Sequence, residues 1–364
     1  MNQPLPAESV LRRVLGGSAD LFRGDDYPRL LAEAAAGTQL PVTTGRRIAV
    51  VGSRGGSGRT TVAALLARIY AAMRADGVAA VDLAPEAGTL GLRLGVPDAP
   101  ALDAVAARLE FEPPASLQQL AGLLAVAGPA NLLVTGRRRP HARGAADPWC
   151  PAAGSPAAGV GIGAGVGVAA GVGVGTMAPA PAWTPTGPVT GRPLDPVDSG
   201  LDGSGANGVA GSKRLLLSRA VSRYCPITVF DCGPGLGAPE ARWAVGNSHL
   251  AVFVTPATAS GFEDAVEYAA AWRRDPLLGS VPLLVLVVQC AKDAALSASR
   301  QAGCLRRAGV DALHLGYDRH LEAGVEALPS LLARRTRLEA VSLASRVLST
   351  AVSVHIAQAR NIPS

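Results

Sequence analysis

The chain has 364 residues, 48% hydrophobic and only 4% aromatic, which suits one large α/β domain with appendages and a core of Ala, Val and Leu. Its formal net charge is +6, and its five cysteines are odd in number and form no Cys-x-x-Cys pair, which argues against a disulfide framework or an iron–sulfur cluster. Since we find no secretory signal and no apolar run of the ~20 residues that span a bilayer, we expect a cytoplasmic protein.

Residues 1–45 form a predicted accessory arm in front of this domain. Two weak helix patterns, over residues 8–15 and 27–36, are followed by a Gly-Thr-Gln-Leu-Pro linker. The sequence leaves open whether this arm packs on the domain or recruits a partner.

A glycine-rich turn follows between a predicted strand and a predicted helix. Residues 47–51 form a short apolar, β-branched run, and residues 61–74 are rich in Ala and Leu with helical spacing. Glycines in such a turn let backbone N–H groups converge on an anion, and the helix N-terminus adds partial positive charge. The alternative is a flexible loop, but the strand and helix around it favour a phosphate-binding loop.

The turn departs from the usual phosphate-loop sequences at its basic positions. Against G-x-x-x-x-G-K-[ST], the chain has Ser53 at the first glycine and Arg59 at the lysine. Against the deviant form K-G-G-x-G-K-T-T, Arg54 and Arg59 replace both lysines. The candidate cofactor-binding residues of the turn are Gly55, Gly56, Ser57, Gly58, Arg59, Thr60 and Thr61. The hydroxyl of Thr60 stands where a Mg²⁺ ligand is expected.

Residues 140–212 are rich in Gly, Ala and Pro and nearly free of charge after Arg143. Such a composition cannot bury enough large side chains to offset chain entropy, so we predict a disordered insertion. A plain linker is the simpler interpretation, and a tether or partner-binding segment is the functional one.

The strand predicted over residues 226–230 ends at Asp231 and a glycine turn. An aspartate at the carboxyl end of a strand can hold Mg²⁺ through water, and Gly233 can offer its N–H to a terminal phosphate. An ordinary strand with a Pro-Gly type II turn is the alternative. The phosphate-loop candidate upstream favours a metal ligand at Asp231.

Two further runs, residues 250–256 and 282–289, are almost continuously apolar, as strands covered on both faces of a parallel sheet are. Residues 261–274 between them have helical spacing. This alternation predicts an α/β fold: a doubly wound, mostly parallel sheet with helices on both faces. A final helix over residues 328–358 is predicted to dock on the sheet, since its apolar stripe lacks the Phe and Trp of a membrane-surface helix.

Together these motifs resemble the MinD/ParA family of deviant-Walker ATPases. The resemblance covers about residues 46–139 and 213–350, within a nucleotide-binding domain assigned to residues 46–139 and 213–364. The segments that carry it are the turn at 54–61, Val81-Asp82-Leu83, Asp231-Cys232-Gly233-Pro234-Gly235, Val254-Thr255-Pro256 and Leu315-Gly316-Tyr317-Asp318.

The resemblance implies an ATP- and Mg²⁺-dependent homodimer. Arg54 stands where the family's lysine reaches the partner's phosphates, and Arg59 stands where a lysine contacts the β- and γ-phosphates. Gln289 and Tyr317 are assigned to the cofactor site, and Asp82 to the catalytic residues with Arg54 and Arg59.

Two departures from the family pattern predict weak or absent hydrolysis. Asp82-Leu83-Ala84 ends in alanine, where the family usually has a second carboxylate that positions water. The planar fork of Arg59 fits a crowded phosphate pocket less well than a lysine ammonium does. Each loss is expected to cost roughly 10²-fold in rate. A general preference for arginine is the alternative, since only Lys213 and Lys292 among the 34 basic residues are lysine.

The leading functional hypothesis is an ATP-binding switch that positions or regulates a larger assembly through an unidentified protein partner. A pseudo-ATPase scaffold and an ATP-dependent synthetase are the alternatives. The basic charge also permits non-specific DNA binding, while peripheral membrane association is not favoured. The composition and residues 317–321 are similar to actinobacterial MinD-like proteins associated with type VII secretion.

Overall fold

The computed structural model describes residue 7 and residues 26–84, 88–128, 131–136 and 206–360, without the side chains of 206–211 and 355–360. The helix predicted over residues 8–15 lies outside these residues. So does the predicted insertion, except for its last seven positions, residues 206–212.

Eight strands form one sheet in the order β3-β4-β2-β5-β1-β6-β7-β8. Their bounds are β1 Arg46–Gly52, β2 Val78–Asp82, β3 Ala125–Ala127, β4 Leu132–Thr135, β5 Ile227–Pro234, β6 Leu250–Pro256, β7 Leu283–Val288 and β8 Ala312–Leu315. Every neighbouring pair is parallel except β3 with β4, at one edge. The mostly parallel sheet predicted from the apolar runs is confirmed.

The helices are α1 Tyr27–Thr38, α2 Arg59–Met73, α3 Leu90–Arg93, α4 Leu102–Phe111, α5 Leu117–Leu123, α6 Ala206–Tyr224, α7 Pro239–Gly246, α8 Ala259–Arg274, α9 Ala298–Arg307, α10 Arg319–Glu322 and α11 Arg334–Arg360. Helix α6 begins inside the range predicted as an insertion. Its first turns contain Gly208 and Gly211, which have poor helix propensity and so match the composition of the preceding segment.

The sheet is covered on both faces, as the alternating side chains of β1 illustrate. Ile48 and Val50 belong to a core shared with α2 and α11, whereas Ala49 and Val51 belong to a second core shared with α4 to α9. Because both faces are buried, nearly every position in the central strands is apolar. The doubly wound architecture is thereby confirmed. No helix in the described part of the chain combines the length and apolar character needed to cross a membrane.

The last helix, α11, docks on the domain as predicted. Its buried side chains include Val341, Val347 and Leu348, which join the core beneath α2. Helix α1 of the N-terminal arm packs beside it, and the guanidinium of Arg334 lies 4.0 Å from the ring centroid of Tyr27. This part of the arm therefore packs on the domain.

The contact between α2 and α11 includes a buried hydrogen bond. The hydroxyl of Tyr70, whose residue is fully buried, donates to the carbonyl oxygen of Ala344 at 2.7 Å. We expect Tyr70→Phe to lower the free energy of unfolding by about 1 kcal/mol, because a buried hydrogen bond between the two helices is lost. Urea unfolding followed by circular dichroism measures the change.

The matched control is Tyr224→Phe, which removes a hydroxyl that donates to Pro114 at 2.6 Å from a partly exposed position. Water can replace that bond, so we expect a smaller loss. If both variants lost the same free energy of unfolding, the buried hydrogen bond between α2 and α11 would not be the stronger of the two.

Candidate nucleotide-binding site

The turn between β1 and α2 has the backbone shape of a phosphate-binding loop. Gly56 and Gly58 have φ values of 79° and 87°, in the left-handed region that favours glycine. A Cβ on Gly58 would also lie 3.3 Å from Cγ1 of Val288. Gly58 caps the 15-residue helix α2, so the loop directs the N-terminus of a long helix at whatever the turn encloses.

A cavity of about 300 Å³ extends from this turn to the segments that follow β7 and β8. This volume is at the lower end of the range for small-molecule sites. Eight of the sequence-predicted residues line it: Gly56, Ser57, Gly58, Arg59, Thr60, Thr61, Gln289 and Tyr317. The others, Arg54, Gly55, Asp82, Asp231 and Gly233, are not among its lining residues.

Ser57 gives an independent indication that an anion fits the turn. The residue is 1% exposed, and its hydroxyl has no hydrogen-bond partner among the described atoms. Buried hydroxyls are rarely left without a partner. A phosphate oxygen in the turn could accept this hydrogen bond, so the residues present fit a phosphate group.

The side chain of Arg59 turns under the loop and pairs with Asp231. Its Nε donates to Oδ1 of Asp231 at 2.9 Å, and the two side chains are 10% and 1% exposed. Nη1 of Arg59 lies 3.7 Å from where a Cβ on Gly52 would be, at the end of β1. Oδ2 of Asp231 has no hydrogen-bond partner among the described residues, so a Mg²⁺ ion on this oxygen would stand beside the guanidinium. The metal predicted at Asp231 would therefore share this carboxylate with Arg59.

Asp82, the last residue of β2, lies beside Asp231 because the two are paired in the register of the neighbouring parallel strands β2 and β5. Its carboxylate accepts hydrogen bonds from the backbone N–H groups of Ala84 at 3.0 Å and Leu90 at 3.1 Å. Burial, and then the negative charge of Asp231, raise the pKa of Asp82 to about 7, against the opposing effect of these hydrogen bonds and of Arg59. Asp82 is thus placed to hold a proton near the phosphate loop.

Arg54, the other arginine of the turn, lies on the outside of the loop and contacts α8. Its guanidinium binds Oδ2 of Asp264 through Nη2 at 2.6 Å and the hydroxyl of Ser260 through Nη1 at 3.2 Å. The side chain is 47% exposed. The two arginines therefore differ in environment: one is buried under the turn, and the other is held at the surface.

The far end of the cavity is shaped by loops that their own hydrogen bonds hold in place. The amide of Gln289 accepts from the N–H of Ala298 at 2.9 Å and donates to the carbonyls of Ala291 and Leu296. Tyr317 donates its hydroxyl proton to Glu322. Gln289 therefore shapes this end of the site, and its amide groups already have partners.

Helix α11 is attached to the same end of the cavity. Oε2 of Glu339 accepts the N–H of Gly316 at 2.7 Å, and the other oxygen contacts His314 at 3.4 Å and Arg335 at 2.9 Å. The loop that carries Tyr317 is thereby fixed to the last described helix.

The sequence motifs do not indicate several residues that line the cavity, among them Thr89, Arg93, Cys290 and Leu321. Arg93 donates to the carbonyl of Leu321 at 3.3 Å, and burial lowers its pKa. It comes from α3, a four-residue helix too short to produce a periodic pattern. Its position after β2 was the one available signal, because ligands of parallel sheets bind at the carboxyl ends of the strands.

The fold and the turn define a P-loop nucleotide-binding architecture. A ParA family ATPase from Chlorobium tepidum superimposes with a TM-score of 0.50 at 13% identity, over 85% of this chain and 98% of that one. The septum site-determining protein MinD with Mg-ADP from Pyrococcus horikoshii gives 0.48 at 15%, over 82% and 94%. The ATP complex of a McdA variant from Cyanothece gives 0.48 at 13%, over 84% and 97%.

No family model matches the chain, and no curated protein sequence does. The chain has the ParA/MinD-like P-loop ATPase fold, as the sequence motifs predicted.

The raised pKa of Asp82 gives the folded chain a distinct pH dependence. Between the ordinary value of 3.8 and the folded value of about 7, the folded state binds more protons than the unfolded state. The free energy of unfolding therefore falls as pH rises through this window. We expect Asp82→Asn to reduce the loss between pH 5 and pH 8 by at least about 1 kcal/mol, since one pKa unit corresponds to about 1.4 kcal/mol.

Urea unfolding at both pH values tests this expectation. Asp103→Asn, at an exposed carboxylate on α4, is the control and should lose as much stability as the unaltered chain. Equal losses for all three proteins would show that Asp82 does not titrate in this range.

Proposed function

We propose that the chain is a ParA/MinD-like nucleotide-binding switch that holds ATP in this cavity and hydrolyses it weakly or not at all. The observation that carries the proposal is the buried Arg59–Asp231 pair beneath an otherwise well-formed phosphate loop. The glycine backbone and the N-terminus of α2 supply the binding groups, and they do not depend on a lysine.

We expect weak hydrolysis because of three residues near the carboxyl ends of the central strands. Ala84 has a methyl group, which cannot orient water, and Asp82 is occupied by backbone hydrogen bonds. Arg59 is held by Asp231 through Nε, so its Nη groups can donate to a phosphate, but moving the whole guanidinium toward charge that develops there would break the buried pair. Binding groups are therefore retained, while the groups that would favour the transition state are absent or engaged.

The switch part of the proposal concerns Arg54 and rests on the family resemblance. In an ATP-bound homodimer, the residue at this position reaches the partner's phosphates, so Arg54 would have to leave Asp264 and Ser260. This exchange of partners would link nucleotide binding to dimerisation. We propose in addition that the switch acts on a larger assembly through a protein partner. The process served would be secretion, partitioning or septum placement.

A pseudo-ATPase scaffold is the second candidate, and the same buried pair favours it. If Arg59 stays on Asp231 and blocks the turn, no nucleotide enters, and the surface alone acts.

Equilibrium ATP binding and the sedimentation of the same sample separate the two candidates. The switch requires saturable binding together with an ATP-dependent increase in mass. A chain that binds no ATP at millimolar concentration would exclude the switch and leave the scaffold.

The double variant Arg59→Lys with Ala84→Asp tests the cause of weak hydrolysis. We expect it to release phosphate at least about 10²-fold faster than the unaltered chain, because it regains a compact phosphate-binding cation and a water-positioning carboxylate. A coupled phosphate-release assay measures the rate, and the two single variants are the controls. Turnover in the unaltered chain equal to that of the double variant would refute the assigned roles.

Asp264→Asn tests the release of Arg54. Loss of the carboxylate charge weakens the hold on the guanidinium, so we expect ATP-dependent dimerisation to strengthen by about 2- to 10-fold. Sedimentation equilibrium with ATP measures it. Glu263→Gln, which removes an exposed charge one residue away, should leave dimerisation unchanged. Unchanged or weaker dimers in Asp264→Asn would separate Arg54 from dimerisation.

A further inference from the structure

The Arg59 guanidinium has more hydrogen-bond donors than its contact with Asp231 uses. Among the described residues, its hydrogen bonds use Nε alone, so the four N–H bonds on Nη1 and Nη2 remain. Arg59 lines the cavity, with Nη1 close to the end of β1 where the loop begins. One side of the fork therefore contacts a carboxylate, and the other is close to the start of the loop.

Asp231 already has a cation in contact with Oδ1, while Oδ2 has no hydrogen-bond partner among the described residues. The residue is fully buried, and a buried carboxylate requires a positive partner in contact. A divalent ion on Oδ2 would bring two more positive charges beside the guanidinium, whose side chain is only 10% exposed, or would make the guanidinium leave Oδ1. Both changes are unfavourable in a region with little water.

We propose that this site binds the phosphates of a nucleotide without a divalent metal ion, and that Arg59 takes the metal's place. The guanidinium neutralises Asp231 through Nε and donates to the phosphate from its Nη groups. This inference rests on the proposed nucleotide binding and adds how the charge of the phosphates is balanced.

Arginine and lysine would act differently at position 59 because their side chains differ in shape. The planar guanidinium presents donors on two sides, so one group can contact a carboxylate and a phosphate together. A lysine has a single compact charge at its tip. With lysine at this position, Asp231 loses its lateral partner, so both of its oxygens become available to a hydrated metal ion.

Calorimetric titration of the full chain with ATP tests the proposal, once in EDTA and once in excess MgCl₂. We expect the two dissociation constants to agree within about 3-fold, because Mg²⁺ is not part of the binding site. An affinity at least about 10-fold higher in MgCl₂ would overturn the metal-free site but leave nucleotide binding intact. No binding in either buffer would overturn the proposed function itself, and the inference with it.

Variants of Asp231 and of Arg59 test the role of each side chain in metal-free binding. Asp231→Asn should bind ATP in EDTA at least as tightly as the unaltered chain, because the guanidinium keeps its charge and loses its competitor. Arg59→Lys should acquire a preference of about 10-fold or more for MgCl₂. Weaker binding in EDTA by Asp231→Asn, or the absence of a metal preference in Arg59→Lys, would contradict the assigned role.

The control is Arg346→Lys, which alters an arginine–aspartate pair on α11 with the same N–O distance of 2.9 Å, to Asp311. It should keep the metal response of the unaltered chain. Circular dichroism at the titration temperature confirms that each variant is folded, so a change in binding reflects the site.

Discussion

The arrangement of the molecule depends on three charged side chains that meet where the central strands end. Strands β2, β5 and β1 are neighbours in the sheet, and they place Asp82, Asp231 and the loop that carries Arg59 side by side. Two buried carboxylates cannot both stay ionised at low cost, so one needs a cation and the other tends to keep its proton. The buried pair and the raised pKa of Asp82 are both consequences of this placement.

The same constraint separates the two arginines of the loop. They lie five positions apart in sequence, yet one is enclosed by the sheet and the other contacts the outer helix α8. Arginine in place of lysine therefore has a different physical effect at each of the two positions in this turn. Beneath the turn, the lateral Nε donor gives Asp231 a partner, while outside it the fork engages the side chains of Asp264 and Ser260.

Much of the fold could be read from the sequence because its signals are local. Strand β6 spans residues 250–256 as predicted, and α8 begins only two residues before its predicted start. The pairing of Arg59 with Asp231 could not be read in this way, since it depends on strand register and on the path of one side chain. The sequence does not indicate that Arg93 lines the cavity, because a helix of one turn is too short to show a periodic pattern.

Helix α11 connects the hydrophobic core with the far end of the cavity. Its buried face packs beneath α2, the helix that begins at the phosphate loop, and its Glu339 holds the backbone of Gly316 next to Tyr317. Helix α11 therefore contacts both ends of the cavity, one through α2 and the other through Glu339. Because α11 contacts both ends, its packing in the core sets the distance between the phosphate end and the Tyr317 end, and with it the length of ligand that the cavity accepts.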